Sequence, residues 1–350
     1  MDYLTPNPDL YNIPFLIDSY KDMPYVSLGG SGLRVPVVGL GTWKMGYPDT
    51  GDGSRVNEQQ SLAILDRAAE LGVCFWDTAN RYNNASGNSE RIIGNWFQQN
   101  PGDRRNIIVA TKAFGGMDGF TPNHCRLSRS NILESVYASL ERLQTDYIDL
   151  LYFHSYEGST PAEESLTAIE DLVKQDLIRY FGVSNFTVEN LESYKSVQNQ
   201  LSIRCRVVAV QNQFDPLNGE AEKYRGVLNY AHQEGISFVA WSPLAKGLLS
   251  EKYLHMEKIG EGDRLYDEGD LKKPLDKIVI QKLNRLASLA RQWELTLSQL
   301  ALAWLLSLPG MGPIIPSSSS VKQLEENADV GKVRLNTEQL QQINDVLSTT

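Results

Sequence analysis

The sequence predicts an α/β fold, a (β/α)8 TIM barrel, and three observations carry that reading. Short β-rich apolar runs alternate with segments of helical period from residue 37 onward, the pattern of parallel strands joined by crossover helices. The runs number eight, the strand count of a closed barrel. Titratable side chains stand just past the ends of consecutive runs, on the face where such barrels carry their sites.

In chain order, residues 1–24 read as an N-terminal arm rich in Pro and Asn, and 25–350 as one barrel domain without a composition break. Tyr25–Leu28 and Leu33–Val37, separated by Gly29-Gly30-Ser31-Gly32, predict a β-hairpin that plugs the N-terminal mouth. The predicted strands are Val37–Leu40, Cys74–Asp77, Ile107–Thr111, Asp149–Phe153, Arg179–Ser184, Val207–Gln211, Ser237–Trp241 and Ile314–Pro316. Between them Leu62, Leu65 and Ala69, and Ile132, Val136, Leu140 and Leu143, recur at helical spacing and give each helix an apolar stripe. Leu244–Pro274 is too long for an ordinary connection, and long loops in compact domains are usually lids or binding loops.

Composition narrows the function classes. Of the residues, 41% are hydrophobic and 22% charged, as in globular proteins. Lys and Arg number 33 against 43 Asp and Glu, a net charge of −10 that disfavours a general nucleic-acid surface. Cys74, Cys125 and Cys205 show no Cys-x-x-Cys spacing, which argues against a disulfide framework or structural zinc and for a reducing compartment. The first residues lack the features of a secretory or transit peptide, and the longest apolar run, Leu300–Leu306, is too short to span a bilayer. A cytoplasmic protein without membrane contact is expected.

The candidate chemistry lies at strand ends: Asp77, Tyr82 in the following loop, Lys112 and His154. Each alone is unremarkable, as an N-cap, a half-exposed phenol, a snorkelling amine and a core imidazole. Together, on consecutive strands, they compose a proton-donating device. A phenol of pKa about 10 is a poor acid near neutrality, and an adjacent ammonium is expected to lower that value. Asp77 would hold Lys112 charged, and a neutral His154 could orient a substrate oxygen. A Schiff-base role for Lys112 stays open at this point. No metal-ligand cluster or nucleophile elbow accompanies them, and Gly39-Leu40-Gly41 lacks the third glycine of the dinucleotide fingerprint.

These residues resemble the aldo-keto reductase family. Asp77-Thr78-Ala79-Asn80-Arg81-Tyr82 matches its Asp-Thr-Ala-x-x-Tyr signature, Lys112 its Thr-Lys strand end, and Asp146 to His154 the segment that closes on its histidine. Asn83 stands where the family usually has Gly. The resemblance spans roughly residues 24 to 345. It implies hydride transfer between a nicotinamide cofactor and a small-molecule carbonyl substrate, with Tyr82 as general acid/base and a long loop covering the cofactor.

On the cofactor side it implies Gly41, Thr42 and Trp43 after the first strand and Ser184, Asn185 and Gln211 at the carboxamide. Trp241 would stack on the nicotinamide, with Ser242, Pro243, Leu244, Gly247 and Leu249 along the pyrophosphate. Pro316, Ser317, Ser318, Ser320, Gln323, Glu326 and Asn327 would form the adenosine site. Ser317 and Gln323 replace the usual basic clamp, as in the branch of potassium-channel β subunits and bacterial glyceraldehyde-phosphate-type reductases. In that branch a loop arginine meets the 2′-phosphate. Arg264, beside Asp263, could take this part, which favours NADP(H) over NAD(H).

The loops Trp43–Glu58 and Ala113–Leu127 are expected to wall the substrate pocket, with Trp43, Tyr47, Phe114, Phe120 and Tyr156 as aromatic lining. A cofactor-sensing binding module with slow turnover, as in channel β subunits, is the competing class. A homo-oligomer is left open.

Overall fold

The computed structural model describes residues 18–117, 119–254, 259–260, 264–267 and 277–349. The arm before residue 18 and most of the loop around Arg264 lie outside this set. Eight parallel strands run β1 Leu40–Gly41, β2 Phe75–Asp77, β3 Ile108–Ala113, β4 Ile148–Phe153, β5 Ile178–Ser184, β6 Val207–Asp215, β7 Ser237–Trp241 and β8 Met311–Ile314. Each pairs with its neighbour in sequence. The barrel closes where the Ile314 amide donates to the Val37 carbonyl, Gly39 to Ile314 and Gly41 to Pro316.

Two strands shift against expectation. The ladder at the first is confined to Leu40–Gly41, with Val38 bridging separately to Ile314. The eighth begins earlier, at Met311, because Gly312 and Pro313, which read as breakers, sit inside it. Gly312 packs so closely on β7 that a Cβ there would lie 2.9 Å from that of Ser237. A bare backbone is what this seam accepts.

Helices follow the strands: α1 Glu58–Glu70, α2 Asn88–Gln99, α3 Arg129–Leu143, α4 Ala162–Lys174, α5 Val188–Gln198 and α6 Val227–Glu234. After β7 come α7 Lys277–Gln292 and α8 Leu297–Leu306, and after β8 come α9 Val321–Asp329 and α10 Thr337–Leu347. Their starts are chemically marked. Asn57, Ser128, Thr187, Thr296, Ser320 and Asn336 each accept from the third backbone amide of the helix they cap. On α3 the predicted stripe is buried at Ile132, Val136 and Leu143. On α1 the buried edge turns to Ile64, Leu65 and Ala68, with Leu62 and Ala69 at its margin. Among the described residues no helix is long and apolar enough to cross a membrane.

The pleat of each strand separates two interiors. Trp76, Val109, Leu151 and Phe153 face the helices, whereas Phe75, Ala110, Leu150 and Tyr152 fill the barrel. The hairpin of Met23–Ser27 and Arg34–Pro36 caps the N-terminal end and adds the fully buried Leu28 and Val35 to the barrel cluster. Its turn is pinned where the Gly29 amide donates to Ser237 Oγ at 2.6 Å and Gly30 to the Gly235 carbonyl at 2.7 Å. Gly29 has φ +56°, and a Cβ there would come within 2.3 Å of the Val208 carbonyl oxygen. Only glycine meets both conditions.

Candidate active site

The inward face that carries Phe75, Ala110 and Leu150 carries Asp77, Lys112 and Tyr152 two residues further on. Register aligns Asp77 with Ala110 and Lys112 with Tyr152, and His154 follows β4 directly. The buried Lys112 Nζ donates to Asp77 Oδ1 at 2.6 Å, to the Thr78 carbonyl at 2.8 Å and to the Tyr82 hydroxyl at 2.7 Å. All three ammonium hydrogens are thereby directed. Asp77 Oδ2 accepts from Gln211 Nε2 at 2.7 Å. The Tyr82 and His154 rings meet edge to face with centroids 6.0 Å apart. The four predicted residues therefore converge, and Gln211 joins them through Asp77.

Tyr82 is held by an unusual turn. Asn83, Asn84 and Ala85 have φ of 56°, 55° and 61°, a left-handed run that costs of order 1–2 kcal/mol per residue for non-glycines. Asn tolerates this region best after Gly, which explains how Asn83 occupies a glycine position. Its Nδ2 donates to the Met45 carbonyl at 2.7 Å and Asn84 Nδ2 to that of Gly51 at 3.4 Å. Asn88 Nδ2 donates to Asp52 Oδ2 at 2.8 Å, and Asp52 also accepts from the Tyr47 and Ser54 amides. Partial burial pushes the Asp52 carboxyl up, but these bonds outweigh it and hold it below its ordinary value. The loop after β1 and the turn after Tyr82 are thus tied at three points.

Electrostatics corrects one expectation. Burial first, and Asp77 second, raise the Tyr82 phenol well above its ordinary value, opposite to the lowering expected from Lys112. The phenol stays protonated. Lys112 is pushed down by burial and supported by Asp77. Burial, then Lys112 and Arg81, lower His154 to about 3, so the imidazole is neutral at physiological pH. Beneath the site Tyr152 is wholly buried, its hydroxyl without a hydrogen-bond partner among the described residues, in space that Gly182 leaves: a Cβ there would lie 2.6 Å from the ring. Sequence spacing held no signal for that phenol.

The positions expected to hold the cofactor lie at the C-terminal strand ends and the loops that follow them. Ser184 Oγ and the Asn185 amide both donate to the Gln211 carbonyl, and Asn185 Nδ2 donates to the His154 carbonyl at 2.9 Å. Trp241 ends β7 with its ring half-buried against the barrel interior. Ser242 and the run Ala245, Lys246 and Gly247 adopt positive φ, with Leu244 half-buried and Pro243 and Leu249 buried. Gly41 touches Ser317, Asn327 Nδ2 donates to Ser318 Oγ at 3.2 Å, and Ser320 caps α9 while Gln323 Oε1 accepts from Ser319. Pro316 is buried and Glu326 half-buried on the same seam.

Thr42 turns inward: its hydroxyl donates to the Asp77 carbonyl at 3.0 Å and is buried. Arg264 starts a four-residue helix, Arg264–Asp267, and its side chain lies outside the described set. Neutral amides at the barrel mouth, an indole face and hydroxyls at a helix start are the donor set that a nicotinamide dinucleotide requires. The residues fit that group.

The aromatic residues expected to wall the pocket differ in their surroundings. Trp43 is half-buried beneath Lys44 Nζ, 3.5 Å from its ring centre. Tyr47 instead bonds Glu58 and Asn95 on α1 and α2, and Tyr156 packs on Phe186 and Tyr194 behind the sheet. Phe114 is half-buried against the outer core, and Phe120 is fully exposed.

Comparison with known proteins identifies the family. The model of the aldo/keto reductase family matches residues 37–348. A putative voltage-gated potassium channel subunit beta of Schizosaccharomyces pombe is 31% identical over 94% of this chain and 95% of its own. A versiconal hemiacetal acetate reductase of Aspergillus parasiticus is 31% identical, over 92% and 96%. An L-glyceraldehyde 3-phosphate reductase of Escherichia coli is 30% identical over 93% of each.

Proposed function

The chain belongs to the aldo/keto reductase family of oxidoreductases, and on that premise we propose that it is an NAD(P)(H)-dependent reductase of aldehydes or ketones. One observation carries the reading: the Tyr82 oxygen accepts from Lys112 at 2.7 Å, while its own hydrogen is held only by a long 3.3 Å bond to Asp77 Oδ1, which a substrate oxygen at the mouth can replace. The cofactor, when bound, supplies or takes the hydride.

The chain supplies the proton and the orientation. Tyr82 donates its proton to the carbonyl oxygen as charge develops there, and the phenolate left behind is stabilised by the Lys112 ammonium. Asp77 and Gln211 keep that ammonium charged and aimed. The raised phenol pKa keeps the donor loaded before reaction. Neutral His154 can donate one ring hydrogen to the same oxygen. In the reverse direction the same groups remove the alcohol proton. Lys112, with every hydrogen engaged, is placed for this electrostatic role instead of Schiff-base attack.

Ser184, Asn185, Gln211 and Trp241 would hold the nicotinamide end, and the 316–327 segment the adenosine end. NADP(H) is favoured through Arg264, whose removal should weaken NADPH by about one to two decades while sparing NADH. Equal losses for both would place the phosphate contact elsewhere. The activity test is a panel of aldehydes, ketones and polyols followed by cofactor absorbance with each nucleotide. Turnover abolished in Tyr82→Phe supports the reading. Tight cofactor binding with negligible turnover across the panel would instead favour a regulatory module, a reading raised by the likeness to the S. pombe channel subunit.

A further inference from the structure

Building on the carbonyl-reductase reading, we infer that the physiological substrate carries an anionic group, carboxylate or phosphate, received by the guanidinium of Arg81 at the rim of the site.

Arg81 directly precedes Tyr82, so its Cα lies about 3.8 Å from that of the proton donor. Its side chain is exposed and reaches across the mouth to the loop after Lys112, where Nη1 donates to the Gly116 carbonyl at 2.9 Å. Gly115 clears the path: a Cβ there would stand 2.3 Å from Arg81 Cδ and 3.0 Å from Nε. Arg126 meets the start of the same loop through its amide, which donates to the Phe114 carbonyl at 2.6 Å, while its Nη1 donates to Ser159 Oγ at 2.8 Å. The Arg81 guanidinium thus borders the segment that follows Lys112, and Arg126 is anchored to that segment through its backbone.

Arg81 and Arg126 belong with the arginines whose side chains meet neutral acceptors, as those of Arg285, Arg291 and Arg334 also do. Arg67, Arg104, Arg129 and Arg142 all meet carboxylates. Among the described residues, Arg81 and Arg126 meet a carbonyl and a hydroxyl. Nearby carboxylates are already engaged: Asp77 by Lys112 and Gln211, Asp52 by Asn88 and two amides, and Glu157 by Leu127, Ser159 and Thr160.

The rim therefore keeps positive charge on a chain whose net charge is −10. His154 registers that charge, since Arg81 contributes, after burial and Lys112, to its neutrality. A guanidinium presents five donors in a planar fork suited to carboxylate and phosphate oxygens. Among the described residues, Arg81 has one of its donors bonded. Its closeness to Tyr82 suits a short molecule, with the anion a few bonds from the reacting carbon.

The test measures kcat/KM for two matched pairs, succinic semialdehyde with butanal and glyceraldehyde 3-phosphate with glyceraldehyde, in wild type, Arg81→Gln and Arg81→Lys. The expected result is a preference for the charged member of one or both pairs. Its ratio should fall about 10- to 100-fold in Arg81→Gln, mainly through KM, and be partly restored in Arg81→Lys. The pair that shows this effect tells carboxylate from phosphate. Turnover of the neutral aldehydes without a charged preference, or a ratio unchanged in Arg81→Gln, overturns the inference and leaves the reductase reading intact. No turnover of any of the four with either nucleotide overturns the reductase reading instead. The anion site is then judged by calorimetric titration of succinate and inorganic phosphate. Saturable binding weakened tenfold or more by Arg81→Gln supports it, and equal or absent binding in both proteins overturns it.

Discussion

The two mouths of the barrel are built from the same strands and the same inward face, yet one is sealed with hydrocarbon and the other with charge. At the N-terminal mouth, Leu28 and Val35 of the hairpin meet Phe75, Val208 and Val239. Two residues further along the strands, at the opposite mouth, stand Asp77 and Lys112. The difference teaches that the pleat decides only which residues share an interior, and that distance from a strand's end decides which solvent they share it with. Stability can thereby be concentrated at one end and reactivity at the other.

The largest effect that sharpens this contrast is expected from Tyr82→Phe: turnover should drop by about 10²–10⁴. Cofactor affinity by fluorescence titration and the melting temperature should stay close to wild type. A comparable loss of thermal stability would mean that the upper mouth is structural as well.

Lys112→Met should blur the contrast. It leaves the buried Asp77 carboxylate with Gln211 and the more distant Tyr82 hydroxyl as side-chain donors, and breaking a buried pair typically costs about 3–5 kcal/mol. Turnover and denaturant midpoint should fall together. An unchanged midpoint would show that Asp77 takes up a proton or water at little cost.

Below, Leu28→Ala removes a fully buried side chain, and about 2–5 kcal/mol of stability should go with it while kcat per folded molecule is kept. Gly29→Ala sets a Cβ against the Val208 carbonyl at positive φ and should cost about 1–3 kcal/mol. Urea unfolding with parallel kinetics checks both. A lower kcat in either variant would couple the plug to the chemistry.

The smallest effect is one of pH. His154 titrates at about 3 when folded and at about 6.5 when unfolded, so the unfolded chain takes the proton first. Its contribution is fully present above about pH 6.5 and is lost as pH falls, by up to about 1.4 kcal/mol per unit. Urea unfolding at pH 7, 6 and 5 should show a shallower decline in His154→Gln than in wild type. Parallel declines would assign the acid sensitivity to other groups.

How much of this was legible in the sequence follows from what each feature depends on. The strands were readable because a buried parallel strand is a bare apolar run, and the eighth was misplaced because Gly312 and Pro313 break that pattern at a tight seam. Asp77, Tyr82, Lys112 and His154 were readable from their position after strands. The bond between Gln211 and Asp77 spans 134 residues and leaves no local trace. The direction of the Tyr82 shift depends on burial, which spacing does not report. The partners of Tyr47 and Tyr156, Glu58 and Phe186, were not legible because a loop's sequence does not say which way its aromatics turn.

The seam and plug also set the order of events during synthesis. Gly29 leaves the ribosome well before its partner Ser237, 208 residues later, a delay of about 10–40 s at ordinary elongation rates. The first strand waits longer still, since the Val37 carbonyl accepts from Ile314 and the Gly41 amide donates to Pro316, both near the other end. For that interval Leu28, Val35 and one edge of the growing sheet have no native cover. Barrel closure is therefore a late, long-range step, and the nascent chain is most open to aggregation or chaperone capture just before its last strand emerges.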